Sequence, residues 1–194
     1  TGRAELSYYE KGIVGGVALK YERPDWSGYT IGMGVRDNRG RDDFGDRREN
    51  IDVPTYRGRF THRHKLFLPD HWQVQGEVSW YSDRNFPETF FPAEFHGGKT
   101  QDTLLYGKNQ QDNRAFTALA QYRLNRFDTQ TESAPDLGLF VVGEPLAEDR
   151  LTWFSETRAG IKRWRPANWL GQRRDVDQSR LFPHQAMKGC AAVV

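Results

Sequence analysis

The stretch "HWQVQGEVSWYSDRNF", His71 to Phe86, decides the fold. From Trp72 on, every second residue is apolar or small: Trp72, Val74, Gly76, Val78 and Trp80. Between them stand Gln73, Gln75, Glu77, Ser79 and Tyr81. Successive side chains of a strand point to opposite faces, so this run reads as a strand with one greasy side and one wet side. The greasy side faces either a protein core or lipid, and the rest of the chain bears on which.

The period of two recurs along the sequence. Candidate strands fall at about 3–10, 14–22, 28–37, 57–67, 71–83, 101–109, 114–125, 127–142 and 150–165. Tyr29, Ile31, Met33 and Val35 alternate with Thr30, Gly32, Gly34 and Arg36. Phe116, Ala118, Ala120, Tyr122 and Leu124 alternate with Thr117, Leu119, Gln121, Arg123 and Asn125. Helical periodicity is nearly absent; "FPETFFPAEF", Phe86 to Phe95, predicts one short helical turn inside a loop. After Pro166 no period is sustained, and 167–194 reads as an irregular tail.

Connections alternate in length. A long polar stretch after the third strand is followed by the tight turn "LPDH", then the long "RNFPETFFPAEFHGGK", then the tight "QQDN". One end of the sheet therefore carries loops and the other carries turns, as in outer-membrane barrels. Several strands reach the 9–11 residues that a tilted strand needs to cross a bilayer. Aromatic residues gather near strand ends, at Tyr8, Tyr9, Trp26, Tyr29, Trp72, Trp80, Tyr81, Trp153, Phe154 and Trp164. Such rings form the girdles of a membrane barrel, although strands favour aromatic residues in any setting.

Composition narrows the classes. Lys and Arg total 28 against 26 Asp and Glu, a net charge of +2, which does not suggest a nucleic-acid partner. Cys190 is the single cysteine, so an internal disulfide or cysteine-rich metal site is excluded. The chain opens on Thr1, shows no signal-peptide pattern and has no apolar span of transmembrane-helix length. A helical membrane protein is thereby excluded, but a barrel is not, since its segments are never continuously apolar. The low mean hydropathy, −0.82, is compatible with strands that are half wet.

Motifs for chemistry are missing: there is no nucleophile elbow, P-loop, H-E-x-x-H or G-x-G-x-x-G. No enzyme, no cofactor and no metal are expected. His62 and His64 share a strand face but lack a completing ligand in sequence. "RDNRGRDDFGDRREN", Arg36 to Asn50, gathers Asp37, Asp42, Asp43 and Asp46 but fails EF-hand spacing, and reads as a solvated loop. The binding candidate is the row Arg57, Arg59, Arg63 and Lys65, which projects to one side of a strand and could track phosphates or carboxylates. The alternative is that these cations pair with Glu77, Asp102 or other charges on neighbouring strands. If the greasy faces meet lipid, the row must face the lumen and Trp72, Val74, Val78 and Trp80 must face the bilayer.

The runs "YSDRNF", "FFPAEF", "QDTLLYGKNQ", "AQYRLNRFDTQTESAPDLGLF" and "GEPLAEDRLTWFSET", in that order, resemble the barrel region of the LPS-assembly protein LptD, the organic solvent tolerance family. The resemblance spans about Gly2 to Pro166. It implies an outer-membrane barrel that takes lipopolysaccharide, or a related glycolipid, from a periplasmic Lpt bridge to the outer leaflet. It also implies an LptE-like lipoprotein lodged in the barrel. Family members have a periplasmic jellyroll and some two dozen strands, so this chain corresponds to a part of such a barrel. The expectation is thus an all-β chain, an antiparallel up-and-down meander of about nine strands in a partial transmembrane β-barrel over 1–166. A generic porin-like barrel and a soluble β-sandwich carbohydrate-binding module are the alternatives.

Overall fold

In the computed structural model, residues 1–9, 12–44, 49–98, 101–146, 148, 150–168, 182–183 and 186–193 are described, the last two stretches as backbone only. Nine antiparallel strands follow one another as neighbours: β1 (Gly2–Tyr9), β2 (Gly12–Glu22), β3 (Trp26–Asp37), β6 (Tyr56–Leu68), β7 (Trp72–Tyr81), β8 (Thr103–Gln111), β9 (Arg114–Tyr122), β10 (Gln130–Leu146) and β11 (Leu151–Arg165). These are the nine strands expected from the alternation. Between β3 and β6 a small separate hairpin is formed by β4 (Arg41–Phe44) and β5 (Glu49–Asp52). The polar stretch read as a plain loop is therefore partly ordered, because β4 and β5 pair with each other rather than with the sheet.

The meander is an open sheet: among the described residues β1 pairs only with β2 and does not meet β11. Most of the tail, 167–194, lies outside the described residues. Within it, β12 (Phe182–Pro183) and β13 (Ala186–Val193) pair antiparallel with β11. This departs from the irregular tail of the sequence reading; "AMKGCAAV" has small residues on both faces, so no alternation announces the strand.

From β2 onward, connections sort by end, as their lengths predicted. Residues 23–25, 69–71, 112–113 and 147–150 join strands at one end, while 38–55, 82–102 and 123–129 join them at the other. The turn at Asp70 and His71 is tight because both residues take positive φ, 58° and 63°, which matches the twist of a hairpin. The long 82–102 connection contains two five-residue helices, α1 (Phe86–Phe90) and α2 (Pro92–His96). Each has proline in its first turn, where the missing N–H costs nothing and φ is already helical. Pro92 also ends α1, since the residue before a proline avoids the helical region; Phe91 sits at φ −136°, ψ 53°. One helical turn was expected and two short helices are found.

The sheet is turned inside out relative to a water-soluble one. Buried side chains are mostly polar or charged, among them Asp37, Arg57, Arg59, Thr61, Glu77 and Ser79. Exposed ones include many large apolar residues, such as Leu6, Ile13, Val17, Phe60, Leu105 and Leu139. Among the described residues the one buried apolar cluster is small: Val14, Val35, Tyr81 and Phe86, with Met33, Phe90, Phe91 and Phe127 packed against it. It lies on the inner face, where α1 and α2 fold back onto the sheet.

Candidate functional site

The register fixes which residues share a face. On β6 and β7, Arg63 stands opposite Glu77, Thr61 opposite Ser79 and Arg59 opposite Tyr81. The basic row therefore shares the inner face with the polar set of β7. On the outer face Phe60 opposes Trp80, His62 opposes Val78 and Leu66 opposes Val74. Trp72, Val78 and Trp80 are 38–42% exposed, and Val74 lies with them on the same uncovered side. No second sheet covers this side among the described residues.

The alternation does not have the same sense on every strand. Val35 opposes Arg57, Met33 opposes Arg59 and Tyr29 opposes Arg63. The apolar set of β3 thus faces inward with the cations, and its outer side is Thr30, Gly32 and Gly34. The reason is the small inner core: Met33 and Val35 pack beneath the phenylalanines of 86–91. Tyr29 and Tyr81 are likewise inner-face residues, Tyr81 only 2% exposed, and drop out of the girdle set. The side chain of Tyr9 lies outside the described residues.

Phe154 and Trp164 alternate with Trp153 on β11, share the face of Glu156 and Lys162, and drop out as well; the other aromatic residues near strand ends form two outer bands. Tyr8, Tyr56, Trp80 and Tyr122 are exposed toward the loop end, and Trp26, Trp72 and Trp153 toward the turn end. Trp72 and Trp80 delimit β7, and at roughly 3.3 Å per residue they stand about 26 Å apart along the strand. Strands of an outer-membrane barrel tilt by about 35–45°, so such a run would rise about 20 Å along the barrel axis, most of the roughly 25 Å apolar band. His62 and His64 interrupt the outer face as a stacked pair, with ring centroids 6.3 Å apart. Each has a hydroxyl partner on another strand: Thr30 Oγ1 of the adjacent β3 lies 2.8 Å from His62 Nδ1, and Tyr21 Oη, reaching across β3 from β2, lies 2.8 Å from His64 Nδ1. These partners explain how two imidazoles sit on an otherwise apolar surface. No group of three metal-ligating side chains occurs among the described residues.

On the inner face the arginines are met by the chain's own carboxylates. Arg57, with no exposed side-chain area, donates Nη1 to Asp37 at 2.9 Å and to Asp42 at 3.0 Å. It also forms a two-bond fork with Asp83, Nε to Oδ2 at 3.0 Å and Nη2 to Oδ1 at 2.9 Å. Phe86 and Phe90 lie under its guanidinium at 5.8 and 5.3 Å. Asp37 and Asp42 were expected in solvent, but a buried arginine needs counter-charges and the strand order brings them to it. Asp43 is exposed, as expected, and Asp46 lies outside the described residues.

Arg59 is held differently. Its Nε donates to Thr61 Oγ1 at 3.1 Å, and its two terminal nitrogens fork onto Glu94 of α2 at 2.8 and 3.2 Å. The plane lies 4.3 Å from the Phe91 ring centre. Thr61 is fixed in turn by Ser79 Oγ at 3.1 Å, which donates to Gln101 at 2.9 Å. Asn125 accepts from the Tyr81 backbone N–H and donates to the Ser79 carbonyl, tying β7 to the β9–β10 loop. Arg63 pairs with Glu77 at 2.6 Å. Lys65 rests 4.7 Å from the Phe67 ring and has no carboxylate within salt-bridge distance among the described residues. In the β9–β10 loop, burial pushes the Asp128 carboxyl up to about 6, against the opposing pull of Arg123.

The structure thus brings the four cations of the row onto one face and pairs three of them with acids, Arg57 with three and Arg59 and Arg63 with one each. Glu77 is among the partners expected from the sequence; Asp102 instead accepts from Gln121 and Gln130. Asp37, Asp42, Asp83 and Glu94 were missed as partners. The acidic first turn of "PAEF" was the available signal for Glu94, but nothing local announced that it would fold back onto β6. No protein-family model matches the chain, and no curated protein matches it.

Proposed function

We propose that this chain is part of an outer-membrane β-barrel of the LptD kind, a component that delivers lipopolysaccharide or a related glycolipid to the outer leaflet and does no covalent chemistry. The observation that carries the membrane reading is the inverted polarity of one continuous sheet. Charged residues are buried on its inner face, large apolar residues are exposed on its outer face, and aromatic residues at both strand ends bound the apolar zone, Trp72 and Trp80 about 26 Å apart along β7. In water such a face would be an aggregation hazard; in lipid it is the expected surface. A sandwich module would need a second layer over Trp72 to Trp80, and none lies there among the described residues. The choice of a glycolipid transporter over a porin rests on the ordered resemblance of "YSDRNF" to "GEPLAEDRLTWFSET", which would also bring an LptE-like lipoprotein and a periplasmic bridge as partners.

The test is membrane fractionation of the full-length parent, followed by gel mobility with and without boiling. A band in the outer-membrane fraction that shifts on boiling supports the barrel. A soluble protein without a shift overturns it. Photo-crosslinking to lipopolysaccharide from Lys65 then separates the transporter from a porin, which would give no adduct.

A further inference from the structure

Two neighbouring arginines on β6 differ in how their counter-charges are held. Arg57 has three carboxylates from three segments, Asp37 at the end of β3, Asp42 in β4 and Asp83 before α1. α1 is anchored beside it by Phe86 and Asn85, both fully buried. Arg59 has a single carboxylate, Glu94, whose side chain is 37% exposed while that of Arg59 is 1% exposed. α2, which carries Glu94, buries none of its residues. Open space borders it on both sides. A groove of about 430 Å³ lies between Glu94 and β2 and β3 at Ala18, Lys20, Tyr29 and Ile31, and one of about 290 Å³ lies by Glu94, Phe95 and Gln101. The helix ends at Gly97 and Gly98, the latter at φ +66°, a conformation that glycine takes without strain.

The rest of the Arg59 setting is buried and hydrogen-bonded. Thr61, Ser79 and Gln101 hold its Nε side, and Phe91 lies against its plane. A pre-oriented guanidinium fork accepts carboxylate and phosphate in the same two-bond geometry. We infer that Arg59 is an anion-binding site which Glu94 occupies as a built-in competitor. An incoming phosphate or carboxylate group displaces Glu94, and α2 swings away on its glycine end while α1 stays anchored at Arg57. The inference concerns the inner face itself and holds whether or not the outer face meets lipid.

The experiment uses the full-length parent with Cys190→Ser and a nitroxide label at Ala93→Cys, solubilised as the protein requires. Inorganic tripolyphosphate is one probe and phosphatidic acid in mixed micelles is the other. The expected result is that the label gains mobility as the probe is added. Glu94→Gln frees the label without any probe and tightens tripolyphosphate binding about tenfold, since a charged competitor has been removed. Arg59→Lys, which keeps the charge but loses the fork, weakens binding in the Glu94→Gln background. Arg158→Gln, a variant of a surface pair with Glu156 at 2.6 Å, leaves binding unchanged. If tripolyphosphate and phosphatidic acid act alike, the site reads phosphate alone; a response to phosphatidic acid only assigns it to lipid-borne phosphate. A label that stays immobile in Glu94→Gln, or a variant that gains no affinity for either probe, overturns the inference. Both of these outcomes are read without Arg59→Lys, so they stand even if that variant fails to fold.

Discussion

The two faces of the β6–β7 pair come from the same short stretch of chain and obey opposite rules. On the outer face Phe60, Val78 and Trp80 lie beside one another and look outward, with no layer over them among the described residues. The inner face is held by directional bonds, with Arg57, Arg59 and Arg63 each forked or paired to a carboxylate. Apolar contact is tolerant of substitution and depends on the medium, whereas a buried ion network depends on its members and little on the medium. The comparison therefore teaches where solvent identity matters, and mutations on the two faces separate the cases.

The largest effect is expected inside. Arg57→Ala leaves Asp37 and Asp83 facing each other without a cation, and removing one partner of a buried ionic group costs about 3–5 kcal/mol. Urea unfolding of the parent in detergent should show it, and a midpoint near wild type would mean that the inner face is wet and loosely packed. Val78→Arg comes next and is the sharpest test of the medium. If the outer face lies in lipid it costs about 2–4 kcal/mol, with the larger value near mid-depth. In water a surface change of this kind falls within about 0.5 kcal/mol. Folding into lipid vesicles compared with folding in water would separate these two.

Glu77→Ala is the inner-face counterpart one residue away. It removes the partner of Arg63, whose side chain keeps 30% exposure and can turn to water, so the cost should be about 1–2 kcal/mol. It should be better tolerated than Val78→Arg in vesicles; the reverse order would undo the assignment of faces. The smallest effect depends on pH. With its carboxyl raised to about 6, Asp128 binds its proton more tightly folded than unfolded. Its favourable contribution is fully present below about pH 4 and is lost as pH rises through 6. Asp128→Asn should therefore be more stable than wild type at pH 8, by about 1 kcal/mol after allowing for partial exposure, with the difference vanishing near pH 4. A difference that does not change with pH would show that Asp128 titrates normally.

Much of this architecture was legible in the sequence, for identifiable reasons. The strands of β6 to β9 could be read because a two-residue period is a local property, and the sorting of loops and turns because connection length is too. The sense of β3 could not: Tyr29, Ile31, Met33 and Val35 look like an outer face, and only their register against Arg57, Arg59 and Arg63 turns them inward. The partners of the basic row were equally hidden. Glu94 is 35 residues from Arg59, and Asp83 is 26 from Arg57. The strand β13 escaped because its small residues carry no pattern, its place being set by the edge of β11.

By itself, then, the sequence determined nine strands, their order of long and short connections, the row of cations and the greasy line from Trp72 to Trp80. These follow from the alternation of side chains and the chemistry of turns, which act over a few residues. The tertiary structure alone decided which face is inside, which acids neutralise which arginines and where the two short helices rest. Those depend on strand register and on a 21-residue connection folding back over the sheet, and neither leaves a mark on any local stretch of sequence.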